Sequence, residues 1–257
     1  MAPAASLHAR ELDARRANRL FYDALWSGAR LIGPERFNTW PLVRSLISAG
    51  GRRLEVAPGL RPRLPIEGTQ FVDISAPALH QLSARGALVV QSAVSALPFA
   101  TGTFNLVVAL DLIEHVEDDR AALAELSRVT SSGGTVLLSA PLHPDRWSAF
   151  DELVGHQRRY EPQRLVGHLA EHHLTIAHSA GFGMQPHSSR ITDLGVWWLT
   201  HHRATALWWY NRLLMPLGLR RQGELSLAPG LIATAPLDEV LLVCRCERAP
   251  FAATESA

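Results

Sequence analysis

Apolar positions fall along the chain in two rhythms, one close to the helical period and one of short continuous runs bounded by turns. Residues 7–30 carry Leu12, Ala17, Leu20, Phe21, Leu25 and Trp26 at helical spacing, with Arg and Glu between, which predicts an amphipathic helix. Asn38 is placed to cap a second short helix through Trp40, Leu42, Val43, Leu46 and Ile47, stopping at Gly50-Gly51. Short apolar runs then predict strands at 52–56, 70–74, 87–91, 104–110 and 135–140. Between them lie helices at 76–85, ending at Gly86, and at 112–130, ending at Ser132-Gly-Gly134. A helix at 161–172, a strand near 173–180 and a last strand at 237–246 complete the pattern, with a frayed tail after Arg248.

Alternating strands and helices predict a parallel sheet with right-handed crossovers. One connection breaks the rule. Leu60-Arg-Pro-Arg-Leu-Pro65 follows Pro58, and proline both removes a donor and restricts its predecessor. The helix expected after the first strand is therefore lost or shortened. Residues 185–235 form a long insertion rich in Trp and His.

The first strand and turn, Arg53-Leu-Glu-Val-Ala-Pro-Gly-Leu60, put Glu55 at a strand end and Gly59 where backbone can approach a ligand. Asp73 ends the second strand, where a carboxylate can accept both hydroxyls of a ribose. That pair suits nucleotide binding at the carboxyl ends of a parallel sheet, and equally two core strands joined by a Pro-rich loop.

Composition narrows the picture only a little. The 257 residues are 47% hydrophobic and 19% charged, with a formal net charge of +1, which is globular and gives no footprint for a nucleic acid. Cys244 and Cys246, two apart in an apolar strand, are poorly placed to bridge each other. The N-terminus lacks a basic region followed by an apolar run, and no stretch reaches the roughly 18–20 apolar residues of a membrane span. A reducing cytoplasm fits.

From Leu97 onward the chain resembles a class I S-adenosylmethionine-dependent methyltransferase of the broad bacterial type 11 kind. The carrying residues are Leu97-Pro-Phe99, Phe104–Val116, Ala121–Val129 before Gly133-Gly134, Leu137–Pro141 and Gly155-His-Gln-Arg-Arg-Tyr160. The resemblance runs from about Arg52 to Gly183. It implies a Rossmann-like seven-stranded sheet with helices on both faces and an antiparallel last strand, in a domain spanning 51–250. The helices of 1–50 would pack on this core, and the insertion 185–235 would serve as lid or acceptor region.

The resemblance also implies S-adenosylmethionine as methyl donor. Glu55 and the turn Ala57–Gly59 would face its methionine part, and Asp73 its ribose. Ser92, Ala93 and Leu97 would contact adenine, while Asp111 and Leu112 would line the pocket near the sulfonium. The family's Gly-x-Gly-x-Gly turn is replaced here by Ala57, Gly59 and Arg61, and an acid that commonly meets adenine by Ala93. Arg61 or Arg63 would then meet the cofactor's carboxylate directly.

Methyl transfer from a sulfonium needs positioning and exclusion of water, with a general base where the acceptor must lose a proton. His115, His156 and Tyr160 are the catalytic candidates. No metal is assigned. The alternative is a divalent ion on Asp111, Glu114 and His115, since quinone-biosynthesis O-methyltransferases have a similar pattern with a metal role. The expected acceptor is a small or lipid-like molecule, methylated on oxygen. The insertion's Trp197-Trp198 and Trp208-Trp209-Tyr210, with basic neighbours, suit either a helical core or peripheral membrane contact through 194–218. The other functional reading is a catalytically degenerate binding or scaffold protein of the same fold.

Overall fold

The computed structural model describes residues 22–183 and 189–248. The first part of the predicted N-terminal helix and the tail after Arg248 lie outside the described residues. Among the described residues eight strands form one sheet: β1 (Arg53–Val56), β2 (Thr69–Asp73), β3 (Leu88–Gln91), β4 (Phe104–Ala109), β5 (Thr130–Pro141), β6 (Leu174–Gly181), β7 (Ala228–Pro229) and β8 (Glu239–Cys246). Their order is β3-β2-β1-β4-β5-β8-β6-β7. The first five pair in parallel, and β8 runs antiparallel between β5 and β6. The strand beyond the expected seven is β7, a two-residue edge piece antiparallel to β6.

Among the described residues the helices are α1 (22–27), α2 (Trp40–Leu46), α3 (Ala76–Ser83), α4 (Asp119–Val129), α5 (Ala149–Val154), α6 (Pro162–Glu171), α7 (Ser189–His201), α8 (Arg203–Trp209) and α9 (Met215–Arg220). A π-helical turn, Tyr210–Leu214, fuses α8 and α9 into one rod. The central strands are buried on both faces. Leu54, Val107, Val136 and Leu242 pack with Leu123 and Leu126 of α4 on one side. Val108, Leu137 and Leu241 pack with Val43 of α2 on the other. Each such side chain stabilises the fold by about 2 kcal/mol.

Several boundaries move for identifiable reasons. The predicted 112–130 helix splits into a 3₁₀ turn, Ile113–His115, and α4, because the Asp118 carboxylate caps α4 by accepting the Ala121 N–H at 2.9 Å. Asn38 does not cap α2. Thr39 stands at that position, and Asn38 instead bonds Gln222 and the Gly223 carbonyl.

The missing first crossover helix is real. Residues 57–68 contain no helix, and their length sits near the roughly dozen-residue minimum for a parallel crossover. The acceptor a helix would have supplied comes from a side chain. Both oxygens of the buried Glu55 carboxylate accept N–H groups, from Arg63 and Leu64, each at 2.8 Å. Leu60 and Leu64 are wholly buried and anchor the loop from either end.

Candidate functional site

The site lies at the carboxyl ends of β1, β2 and β4. Ala57 and Gly59 both adopt positive φ, 57° and 53°, so the turn after β1 is left-handed twice over. The Gly59 N–H donates to Asp73 Oδ2 at 3.0 Å, and the Ser75 N–H donates to Oδ1 at 2.8 Å. These bonds hold the carboxylate at the tip of β2 against the turn. Asp73 is 6% exposed, and burial pushes its pKa up against the pull of those N–H groups. The next residue, Ile74, is 61% exposed, and Ala93 across the crevice is open too. Ser92 beside it donates its backbone N–H to the Asp73 carbonyl.

Three expected cofactor contacts are placed differently. Glu55 is spent on the loop, and burial raises it to about 7 despite the two N–H groups it accepts. Leu97 is buried in the core, its N–H donated to Glu125 and its carbonyl held by Arg128. Leu112 also faces the core. Neither expected arginine is an open anion contact. Arg63 is buried with its guanidinium 3.8 Å over the Phe37 ring. Arg61 lies between Trp26 and Tyr210, 5.2 Å from each ring centre.

Past β4, Asp111 stands exposed with φ 52°. Its N–H donates to Ser139 Oγ at 2.8 Å, and the Ser139 hydroxyl donates back to Oδ1 at 3.1 Å. Holding a non-glycine residue in this region costs about 1–3 kcal/mol, and such strain gathers at functional sites. Two further acids face it. Burial and then Asp111 push Glu239 well above the ordinary carboxyl range and Glu114 up to about 8. One Glu114 oxygen is buried without a hydrogen-bond partner.

Beside Glu114 the structure joins residues far apart in sequence. The His115 and His156 rings meet edge to face, 4.6 Å between centres. His156 Nδ1 lies 2.8 Å from Asp151 Oδ1. Asp151 also accepts from Arg159 Nε and from the Ser148 N–H and hydroxyl. Burial alone would raise Asp151, but these bonds win and hold it well below the usual range. His115 Nε2 meets the Tyr22 hydroxyl at 3.2 Å, and burial, then His156, lowers its pKa to about 3, so it stays neutral. Ligand atoms of Glu114, His115 and His156 lie within 4.8 Å of one another, so His156 rather than Asp111 joins the other two. Tyr160, the third catalytic candidate, is buried, and its hydroxyl is committed to the Ile113 carbonyl and Asp119 Oδ2.

Sequence reasoning missed Asp151 and α5. The signal was present: Ser148 and Asp151 form a capping box, and Gly155, at φ 76°, ends the helix. That one short helix delivers His156.

Residues 67–138 match a family model described as a methyltransferase domain. Over 95% of this chain and 96% of the other, the fold superposes on an S-adenosylmethionine-dependent methyltransferase from Thermotoga maritima, with TM-score 0.55 and 14% identity. The fold is that of the class I methyltransferases. A further relative in structure is an S-adenosylmethionine-dependent methyltransferase from Mesorhizobium loti, with TM-score 0.51, 15% identity and 83% and 100% of the two chains covered. Another is the [4+2]-cyclase SpnF, with TM-score 0.52, 13% identity, and 81% and 80% covered. The same fold therefore also occurs in a protein named as a cyclase. Among curated proteins, ajmaline N-methyltransferase of Rauvolfia serpentina is 35% identical over 49 residues, 19% of this chain. That match spans only 17% of the relative's length.

In the candidate site the carboxyl ends of β1 and β2 meet where the Gly59 turn holds the Asp73 carboxylate. The Asp73 carboxylate accepts the Gly59 and Ser75 N–H groups, and Ile74 and Ala93, just past β2 and β3, are exposed. At the turn, a Cβ on Gly59 would strike the Trp26 indole, so Trp26 forms the wall there.

Proposed function

We propose that the protein transfers a methyl group from S-adenosylmethionine to oxygen of a small or lipid-like acceptor. The observation that carries this reading is Asp73, pinned by Gly59 and Ser75 at the tip of β2 beside the open Ile74. Asp73 would take the ribose hydroxyls, Ile74, Ser92 and Ala93 the adenine edge, and Ala57, Gly59 and Asp111 the remainder. When bound, the sulfonium supplies an already activated methyl group.

The chain's own chemistry is proton handling. With Nδ1 tied to Asp151, His156 presents Nε2 as the basic nitrogen. It would take the acceptor's hydroxyl proton as that oxygen attacks the methyl carbon and the carbon–sulfur bond electrons leave to sulfur. Neutral His115, engaged at Nε2 by the Tyr22 hydroxyl and at Nδ1 by the Gly155 carbonyl, would hold the His156 ring in place through their edge-to-face contact. No helix among the described residues is long and apolar enough to cross a membrane, and both cysteines are free and buried. The free, buried cysteines support our reading of a reducing cytoplasm.

Isothermal titration with S-adenosylmethionine and its demethylated product tests the proposal. Micromolar heats that vanish in Asp73→Ala support it, and silence at millimolar ligand rejects it. A second reading, a degenerate binding module, draws on Trp26 packed against Gly59 and predicts that silence.

A further inference from the structure

The rod Arg203–Arg220 is apolar on two opposite sides. On its inner side Leu207 packs with Leu25 and Trp26 of α1, and Met215 and Leu219 pack with Phe37. Its outer side carries Trp208, 53% exposed, together with Trp209, Leu213, Leu214 and Leu217, all exposed. Trp197 of α7 adds a further indole, 51% exposed. A surface helix normally turns charge toward water, and one apolar all round expects an apolar neighbour on both sides.

Charge selects that neighbour. From Leu194 to Gly223 the chain has Arg203, Arg212, Arg220 and Arg221 and no Asp or Glu. The Arg212 guanidinium sits 5.9 Å over the Trp208 ring, placing cation and indole at one level. Exposed indole and leucine beside the exposed Arg212 and Arg220 match the interface of an anionic bilayer, where rings lie at headgroup depth and guanidinium groups meet phosphate. A second copy of this face would set arginines against arginines. We infer that the outer face of α7–α9 docks on an anionic lipid surface.

Docking is linked to the crevice by contact. Arg61, on the turn after β1, reaches Tyr210 and Asn211, and Asn211 donates to the Leu25 carbonyl. The rod that meets lipid is thus tied to the turn that borders the site. This deepens the transferase reading, since a lipid-like acceptor would arrive from that side, yet docking itself is measurable without cofactor.

The test is flotation of the full chain with vesicles of phosphatidylcholine, alone or with about one-third phosphatidylglycerol. Binding to the anionic vesicles should exceed that to neutral ones by about tenfold or more and weaken at high salt. Trp208→Ser with Leu213→Ser should lose it, as should Arg212→Glu with Arg220→Glu, while all four substitutions, being on exposed side chains, leave the melting curve in place. Equal binding to neutral vesicles, no flotation at all, or unchanged flotation of either double variant would overturn the inference. So would a concentration-dependent dimer abolished by the same variants, because the face would then be an interface between copies. Titration of cofactor to the same variants keeps the two readings apart: loss of flotation with intact cofactor heat concerns the surface alone.

Discussion

His156 Nδ1 and Asp151 Oδ1 are 2.8 Å apart across the single turn that ends α5, and the same carboxylate holds Arg159. Replacing Asp151 by Asn removes a buried charge and leaves Arg159 without its counter-ion. The expected cost is about 3 kcal/mol in urea unfolding, since breaking a buried pair exposes the surviving charge to a low-dielectric interior. His156→Gln keeps the Asp151–Arg159 pair and should cost less than half as much. If the transferase reading holds, Asp151→Asn acts as a positioning defect: kcat falls about a hundredfold with KM nearly unchanged, and the pH–rate profile shifts with it.

Gly59→Ala meets two penalties at once, a positive φ and the Trp26 indole. We expect a loss of about 2–3 kcal/mol. In a Trp26→Ala background only the backbone penalty of about 1 kcal/mol remains. A double-mutant cycle by chemical denaturation measures the difference, and additivity would show that the indole does not press on the turn.

Glu55→Ala strips two buried N–H groups, those of Arg63 and Leu64, of their acceptor. The expected cost is about 2–4 kcal/mol, with faster amide exchange at 63 and 64 as the local signature. Glu55→Gln keeps one carbonyl oxygen and should lose only part of this.

Stability should also depend on pH through Glu114. Burial and Asp111 raise its folded pKa to about 8 from 4.5, so the folded state holds the proton more tightly than the unfolded chain. That contribution is complete below 4.5 and disappears as pH rises to about 8. Neutral His115 works in the other direction. Its pKa, lowered from 6.5 to about 3, gives stability that is present above 6.5 and lost as pH falls toward 3. Glu114→Gln should therefore raise Tm at about pH 8.5 and leave it unchanged at about pH 4.5, read by scanning calorimetry. A variant whose Tm follows the wild type across this range would refute the assignment.

Most of the sheet was legible because continuous apolar runs such as Leu106–Ala109 suit strands covered on both faces. The absent crossover helix was legible too, since Pro58, Pro62 and Pro65 leave too few donors for one. What escaped was set by contacts between distant segments. Nothing in the spacing of Glu55 announces that its carboxylate turns to amides 8 and 9 residues on. The resemblance set Leu97 against adenine, but Arg128 draws that loop onto α4 through the carbonyls of Leu97 and Phe99. Trp26 over Gly59 joins α1 to the β1 turn, and hydrophobic periodicity carries no information about which partner an indole chooses.

The far edge of the sheet has a consequence of its own. β6 is followed outward only by Ala228 and Pro229, and a proline offers no amide hydrogen to a newcomer. Fibril growth needs a row of unsatisfied backbone groups to copy itself along. Here β7 interrupts that row at His178 and Ser179, partway along the eight residues of β6, and its proline ring leaves a neighbouring chain a broken margin to copy.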